Sequence, residues 1–275
     1  MSLAPVYADA VPLVADTPPP LLAITLLEWF DREGRDWPWR RSRDRWVVLV
    51  SEVCSQQTQI ARAATYIEAI LDRFPTPGDL ARADLGELLV LWQGLGYPRR
   101  ARNLWLTAQE LDANGWPADL RTLPGIGPYT DAAVRCFADE EAVVPPDINT
   151  RRVLARCFPD GAPTAAEFPL LGERAWAWGS AVMELGQTSC RARALCEMCP
   201  VRELCPSAGT EDVIASPRQK GYAGSMRQRR GALLRSITDH GHAIWDDDPE
   251  AAASLVADGL AQPSGDDEHA LLLPP

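Results

Sequence analysis

Four closely spaced cysteines constrain this chain more than any other feature of its sequence. Cys190, Cys196, Cys199 and Cys205 follow the pattern C-x5-C-x2-C-x5-C, with basic residues between them. Thiolates at this density are typical ligands of a single metal centre. We therefore expect the segment to fold as a loop around a metal. A pair of disulfides is the alternative.

The N-terminal sequence and the apolar content help to decide between a metal centre and disulfides. Residues 1–20 are rich in Pro and Ala and carry no basic residue, which argues against a secretory signal and predicts a disordered leader. No apolar run in the chain is long enough to cross a membrane. A chain that is not exported keeps its thiols reduced, so a metal is favoured over disulfides.

The charge distribution bears on the class of partner. The 275-residue chain has a formal net charge of -11, which is unfavourable for binding nucleic acid. The acids are unevenly placed, however. From Ser236 onward there is no Lys or Arg, whereas the balance over residues 191–235 is basic. An acidic protein can still present one basic face, so nucleic acid is not excluded.

Helical spacing of apolar residues dominates the sequence before Cys205, and no strand-like alternation is found there. The fold class is therefore predicted to be all-α. The predicted helices cover Leu21–Arg32, Trp46–Phe74 (one helix or two), Asp79–Trp92, Arg99–Asn114, Tyr129–Ala138, a segment ending at Cys157, and Phe168–Gly186.

The domain boundaries are predicted from where this helical pattern begins and ends. The leader, 1–20, is followed by a helical domain over 21–206 that contains the cysteine loop 190–205. Residues 207–224 are predicted to be a linker. Residues 225–275 form a small acidic module of short helices, with a hairpin around His269–Leu273 and a winged-helix-like fold.

A tight turn joins two of the predicted helices at Leu123–Pro128, where the sequence is Leu-Pro-Gly-Ile-Gly-Pro. Gly125 and Gly127 allow the backbone to turn sharply beside the start of the next helix. Backbone N–H groups at such a helix start bind a phosphate without a positive side chain. An ordinary helix–helix connection is the alternative, because a G-x-G pattern alone is weak.

A polar stripe lies on an otherwise apolar predicted helix. Its members fall at positions i, i+3, i+4 and i+7 and would share one face: Glu52, Ser55, Gln56 and Gln59. Burial among apolar residues raises the pKa of a carboxyl group, so Glu52 is a candidate general acid near neutral pH. A solvated helix face is the alternative.

A second carboxylate, Asp147, comes about one helix and one loop after the turn, and Asn149 follows two residues later. Taken alone, Asp147 is best interpreted as the N-cap of the next helix. The functional alternative is a carboxylate that faces the same DNA backbone as the turn.

Taken together, these motifs resemble those of the adenine DNA glycosylase (MutY) family, in the helix-hairpin-helix superfamily that includes endonuclease III. The resemblance covers about two thirds of the chain, Leu22–Cys205. Its motifs are Trp-Pro-Trp-Arg (37–40), Ser-Glu-Val-x-x-Gln-Gln-Thr-Gln (51–59), Gly-Leu-Gly-Tyr (94–97), Arg-Asn-Leu (102–104), Leu-Pro-Gly-Ile-Gly-Pro-Tyr-Thr (123–130), Asp-x-Asn-x-x-Arg-Val-Leu (147–154) and the four cysteines.

The resemblance implies a role for each matching residue. Glu52 would protonate the flipped adenine, and Asp147 would stabilise the cationic sugar. Tyr129 and Asn149 would position Asp147 and the sugar or the nucleophile. The implied DNA-binding residues are Gln56, Gln57, Tyr97, Gly125 and Gly127, of which Gln57 and Tyr97 would form a wedge that props the duplex open. The four cysteines would hold a [4Fe–4S] cluster.

The resemblance also implies the architecture and the partner. We expect two lobes, one a bundle over about residues 45–145 and the other built from the N-terminal helix, residues 147–186 and the cysteine loop, with catalysis in the cleft between them. The partner would be double-stranded DNA containing adenine mispaired with 8-oxoguanine or guanine. The protein is expected to be a monomer, not membrane-bound, and cytoplasmic and nucleoid-associated.

Some members of the superfamily also cleave the strand, through a lysine just after the hairpin. Here Pro128-Tyr129-Thr130 holds that place, and the only lysine is Lys220. We therefore expect a monofunctional glycosylase with little or no lyase activity.

The chain departs from the family pattern at Ser55, Pro98 and Ile148, and in the first cysteine spacing, x5 in place of x6. The family's β-rich C-terminal domain, which reads 8-oxoguanine, is not found. Three alternatives stay open: a related glycosylase of different base specificity, a non-catalytic iron–sulfur DNA-binding protein, and structural zinc in place of the cluster.

Overall fold

The computed structural model describes residues 19–164, 166, 170–210, 212–215, 221–267 and 269–275. Residues 1–18 of the predicted leader, the first residues of the predicted helix at Phe168, and Lys220 in the predicted linker lie outside the described residues. Pro19 and Pro20, predicted to end the disordered leader, instead begin the first helix. Helices dominate the rest, so the all-α fold class is confirmed, with one small sheet near the C-terminus. Over the described residues, no helix has the length and apolarity needed to span a membrane.

The described residues divide into two compact units. The first, which we call the cysteine unit, comprises the described parts of Met1–Asp36 and Ala132–Pro217. The second, the hairpin unit, comprises the described parts of Trp37–Asp131 and Arg218–Pro275. The chain crosses from the hairpin unit to the cysteine unit within helix α7, Pro128–Phe137. The expectation that catalysis takes place in a cleft between two lobes stays a prediction.

The cysteine unit is built around a buried helix. Its helices besides part of α7 are α1 (Pro19–Glu33), α8 (Ile148–Cys157), α9 (Leu170–Glu173) and α10 (Ala175–Thr188). Apolar faces of α1, α8 and α10 form one core, in which Leu26, Val153 and Leu185 are fully or almost fully buried. Burial of this kind contributes about 1.5–3 kcal/mol for each large side chain. The core therefore fixes α8, which begins directly after Asp147, against α10.

Capping residues mark where two helices of the hairpin unit begin. Before residue 132, the α-helices of this unit are α2 (Arg45–Ser55), α3 (Ile60–Arg73), α4 (Pro77–Ala81), α5 (Leu85–Trp92), α6 (Arg99–Asn114) and the start of α7. The Asp44 carboxylate caps α2 by accepting from the backbone N–H of Trp46 at 2.6 Å. A capping box between Thr76 and Asp79 begins α4.

One helix prediction in this unit needs correction. The predicted single helix Asp79–Trp92 was wrong, because α4 ends at Ala81 and α5 begins only after Asp84. For the stretch Trp46–Phe74, where one helix or two were predicted, the structure has two. The break is enforced by Gln57, whose φ of 54° lies in the left-handed region that a helix cannot contain.

The C-terminal module folds as two helices and a short antiparallel sheet. The helices are α11 (Met226–His240) and α12 (Pro249–Ala257), and the strands are β1 (Ala243–Ile244), β2 (Gln262–Pro263) and β3 (Ala270–Leu272), in the order β1-β3-β2. A hairpin was predicted around His269–Leu273, and the structure places only one of its strands there, β3, which pairs with the earlier strand β2. The winged-helix-like description stays a prediction.

Candidate active site and metal centre

Glu52 lies in the last turn of α2 and is partly buried. Its Oε2 accepts a hydrogen bond from the Tyr129 hydroxyl at 2.7 Å. Tyr129 stands in the first turn of α7. It directly follows the tight turn that contains Gly125 and Gly127, which we call the glycine turn. The structure therefore brings the predicted general acid and the predicted positioning tyrosine together, within the hairpin unit.

The polar stripe predicted around Glu52 is shorter than expected. Helix α2 ends at Ser55, Gln56 is its C-cap, and Gln59 caps the next helix instead of continuing the first. The expectation that Gln59 shares a helical face with Glu52 was therefore wrong. Gln56 turns inward, and its Nε2 donates to the buried Thr130 hydroxyl of α7 at 3.2 Å. This bond is a second link from the end of α2 to α7.

Arg100 secures the end of α2 and was not singled out in the sequence. Its Nη1 donates to the backbone carbonyls of Val53, Cys54 and Gln56, at 2.8, 3.1 and 2.6 Å. A cation at a helix C-terminus satisfies carbonyls that have no helical partner. Burial lowers the pKa of Arg100, but a guanidinium remains charged at any physiological pH. Arg100 therefore holds in place the helix end that presents Glu52.

The two predicted wedge residues, Gln57 and Tyr97, both have an unusual backbone conformation. Gln57 and Tyr97 have φ values of 54° and 52°, and they stand in turns that follow α2 and α5. Non-glycine residues with positive φ are uncommon, and strain of this kind clusters at functional sites. Arg100 links the two turns, since its Nη2 also donates to the carbonyl of Gly96 at 2.9 Å.

Gly125 and Gly127 contribute to the glycine turn in different ways. Gly125 has a φ of 74°, and a Cβ there would lie 2.5 Å from Nδ2 of Asn103. Gly125 is thus required by both backbone and packing. Gly127 does not have a positive φ, contrary to the expectation that both glycines allow the turn, and a Cβ there would meet nothing within 4 Å. The space beside Gly127 suits a backbone that a ligand approaches closely.

Asp147 caps α8 and is also held by Asn149. Its Oδ1 accepts from the backbone N–H of Thr150 at 2.7 Å, and its Oδ2 accepts from Nδ2 of Asn149 at 2.8 Å. The Thr150 hydroxyl completes a capping box by accepting from the backbone N–H of Asp147 at 3.0 Å. Asp147 is only partly buried. Two donors therefore fix the orientation of this carboxylate in the cysteine unit.

Close packing from α10 supports this carboxylate. A Cβ at Gly186 would lie 2.5 Å from the backbone oxygen of Asn149. The absence of a side chain at this position therefore lets α10 contact the first turn of α8 directly. The sequence pattern of α10 gave no signal that Gly186 serves this contact.

The four predicted metal ligands line one cavity in the cysteine unit. Besides Cys190, Cys196, Cys199 and Cys205, its walls include apolar residues such as Leu185 and Ala194. Across the described residues, no group of three or more His, Cys, Asp or Glu side chains is placed to hold a single metal ion. Four thiols around a cavity are the donor set of an iron–sulfur cluster, so the residues present fit such a group.

Arg156 connects this cavity to α8. The side chain is buried, and its Nη1 donates to Sγ of Cys190 at 3.5 Å and to the carbonyl of Arg191 at 2.7 Å. Its Nη2 donates to the carbonyls of Ala192 and Asp212. The helix that begins after Asp147 therefore ends against the cysteine loop.

The thiols differ in how readily they ionise. Burial raises the pKa of Cys199 to about 11 and also raises that of Cys190. A hydrogen bond from Cys157, whose Sγ lies 4.0 Å from that of Cys205, lowers the pKa of Cys205 to about 6. Metal binding requires thiolates and releases their protons. Of these three thiols, Cys205 therefore loses its proton most readily.

Residues 50–177 match the family model described as "HhH-GPD superfamily base excision DNA repair protein". The adenine DNA glycosylase of Mycolicibacterium smegmatis is 37% identical over 279 residues, which cover 90% of this chain and 95% of that protein. The adenine DNA glycosylase of Mycobacterium tuberculosis is 40% identical over 231 residues, 76% of each chain.

Solved structures resemble this chain in fold. A thermostable thymine-DNA glycosylase has a TM-score of 0.58 and 24% identity, over 69% of this chain and 96% of that one. A non-covalent endonuclease III–DNA complex has a TM-score of 0.55 and 22% identity, over 71% of this chain and 97% of that one. These likenesses show a shared fold.

Proposed function

The chain belongs to the adenine DNA glycosylases of the HhH-GPD superfamily, and we propose that it removes mispaired adenine from double-stranded DNA by hydrolysing the N-glycosidic bond. The contact between Glu52 and the Tyr129 hydroxyl carries the proposal. It places an acid beside the helix start that follows the glycine turn, where a phosphate of DNA can bind. A binding protein has no need of such a carboxylate near a phosphate backbone.

Glu52 is the general acid of the proposed reaction. Cleavage of the bond needs a proton on the leaving base, and a carboxylic acid within hydrogen-bonding reach supplies it. Tyr129 donates to one carboxyl oxygen of Glu52 and holds the group in one orientation. The adenine must leave the base stack to reach this acid, as other enzymes that act on bases require.

Asp147 provides the negative charge under the sugar as the bond breaks. Departure of the base leaves a positive charge on the sugar, and a preoriented carboxylate stabilises such a charge. The donors from Thr150 and Asn149 hold Asp147 ready before the charge forms. Water then adds to the sugar, and an abasic site remains.

Strand cleavage by an amine is not part of the proposal. A lyase needs a lysine that forms a Schiff base. At the place after the hairpin where that lysine would stand, Tyr129 instead donates to Glu52. Preference for adenine opposite 8-oxoguanine or guanine, action as a monomer, and a cytoplasmic, nucleoid-associated location belong to the proposal on the strength of the family resemblance.

Adenine release from duplexes tests this function directly. Under single turnover, we expect adenine loss opposite 8-oxoguanine and opposite guanine, and little opposite thymine. Strand breaks should appear only after hot alkali, because the enzyme leaves abasic sites intact. Breaks before alkali would contradict the monofunctional assignment. If adenine persists in all duplexes while the protein carries its metal, the substrate assignment is wrong and damaged bases should be screened.

We also propose that Cys190, Cys196, Cys199 and Cys205 hold a [4Fe–4S] cluster. The bound cluster would supply four metal–thiolate bonds that cross-link the loop. This chain's own contribution is the guanidinium of Arg156, which donates to Cys190 and to the carbonyls of Ala192 and Asp212. Through Arg156, the order of the loop is linked to that of α8.

Replacing Cys199 with Ser should remove the cluster. The purified wild-type protein is expected to contain about four iron and four sulfide per chain and to absorb broadly in the visible range. Cys199→Ser should lose most of both and unfold at a lower temperature, because metal binding contributes to folding. Cys136→Ala, a buried cysteine outside the cavity, is the control and should keep its iron. Stoichiometric zinc in the wild type would refute the cluster.

A further inference from the structure

Aromatic rings and guanidinium groups alternate along one side of the hairpin unit. Arg227 lies over the rings of Tyr222 and Tyr97, at 4.9 and 5.2 Å from the ring centres. Arg100 lies over the rings of Tyr97 and Trp92, at 5.4 and 5.3 Å. Two cations therefore contact Tyr97, part of the predicted wedge, in a row that begins at Tyr222, just before the C-terminal module, and ends at Trp92 in α5.

The C-terminal module is fixed to this part of the unit by several contacts. Gln93 donates to Asp239 at 2.9 Å, and Arg99 pairs with the nearly buried Asp258 at 2.8 Å. The backbone N–H of Gly86 donates to the carbonyl of Pro274 at 3.1 Å. The module is therefore packed on α5, on the start of α6 and on the turn between them, which carries Tyr97.

The arginines of the first two turns of α11 serve different partners. Arg229 pairs with Asp248 and Glu250, and Arg230 pairs with Asp258, all within the module. Arg227 instead donates to the Tyr97 hydroxyl and stacks on its ring. Arg229 and Arg230 thus form ion pairs within the module, and Arg227 contacts Tyr97 in the turn between α5 and α6.

We propose that Arg227 and Tyr222 complete the wedge around Tyr97, so that the C-terminal module takes part in opening the duplex. This inference rests on the proposed function, which gives Tyr97 its place against DNA. Tyr222 is 54% exposed beside a guanidinium, which offers a surface on which an unpaired base can stack. Arg227 acts as a positioning residue for Tyr97, because it donates to the Tyr97 hydroxyl and lies over the ring.

The experiment compares a substrate in which the adenine lies in a duplex with one in which the adenine is already unpaired. Single-turnover adenine release is measured from a duplex and from a strand in which the adenine is unpaired in a loop. Removing a wedge should slow only the first, because extruding a base is costly in a duplex and cheap where the base is unpaired. Arg227→Ala is expected to slow release from the duplex by about tenfold and to leave release from the loop unchanged.

Three further variants separate a wedge from a structural support. Arg227→Lys keeps the charge but loses the planar stack, so it should be partly impaired. Tyr222→Ala changes an exposed ring, cannot disturb the core, and should also slow the duplex reaction selectively. Arg235→Ala, an exposed arginine further along α11, is the control and should match the wild type on both substrates.

The outcomes are distinct for this inference and for the proposed function. Equal slowing on both substrates, or no slowing by Arg227→Ala and Tyr222→Ala, would overturn the composite wedge. If the wild type releases adenine from neither substrate, the proposed function fails. The wedge is then judged by the fluorescence of 2-aminopurine placed next to the adenine. An unchanged fluorescence on binding of the wild type would refute the wedge as well, and an increase that Arg227→Ala reduces would support it.

Discussion

Replacing Glu52 with Gln is expected to reduce adenine release by about a thousandfold or more, which corresponds to roughly 4 kcal/mol of transition-state stabilisation. An amide has nearly the same shape as the carboxylic acid, and it can still accept from the Tyr129 hydroxyl that now bonds Oε2 at 2.7 Å. It cannot donate an acidic proton to the leaving base. The loss should therefore appear in the chemical step, with duplex affinity and melting temperature close to those of the wild type.

Tyr129→Phe is the matched comparison, because it removes the hydroxyl that orients Glu52 and leaves the acid in place. We expect a smaller loss, about tenfold to a hundredfold. Rates should be measured under single turnover, with duplex binding measured separately. An active Glu52→Gln enzyme would show that another group protonates the base. A Tyr129→Phe enzyme more impaired than Glu52→Gln would show that the hydroxyl has a direct role in the reaction.

The sequence offered candidates for the site residues but not the contacts that hold them. Glu52 and Tyr129 are 77 positions apart, and the family resemblance gave each a role without pairing them, whereas the structure places them in contact. Asp147 capping a helix was predicted from local chemistry, because an N-cap depends on residues within one turn. The end of α2 at Ser55 was missed, because the positive φ of Gln57 contradicts a pattern that otherwise continues as a helix.

The unpredicted residues are mostly arginines that act across long sequence distances. Arg100, Arg156 and Arg227 bond backbone carbonyls, thiols or rings that no local pattern connects to them. A sequence shows such a side chain only as one more basic residue, and the usual expectation is a solvated surface charge. Their partners are fixed by tertiary packing. The lone lysine among so many arginines was visible in the sequence, but that composition alone does not say which arginines are buried.

Replacing Asp147 with Asn is expected to reduce adenine release by about a hundredfold to a thousandfold while leaving the melting temperature almost unchanged. Asn caps a helix about as well as Asp does, so the bond to the backbone N–H of Thr150 can persist. The negative charge under the developing cation is lost. This variant therefore separates the two interpretations of Asp147, a helix cap and a catalytic carboxylate, which the sequence alone left open.

Thr150→Val is the complementary change. The Thr150 hydroxyl accepts from the backbone N–H of Asp147 and donates to the carbonyl of Pro145 at 2.7 Å. The valine variant loses both of these bonds and keeps only the bond that the two backbone groups make to each other at 3.0 Å. We expect a loss of about 1–3 kcal/mol in the free energy of unfolding and a lower melting temperature, with most of the excision rate retained. If Asp147→Asn were active and Thr150→Val inactive, Asp147 would matter only as the cap of α8. The opposite pattern would assign the charge of Asp147 to the reaction and its cap to the fold.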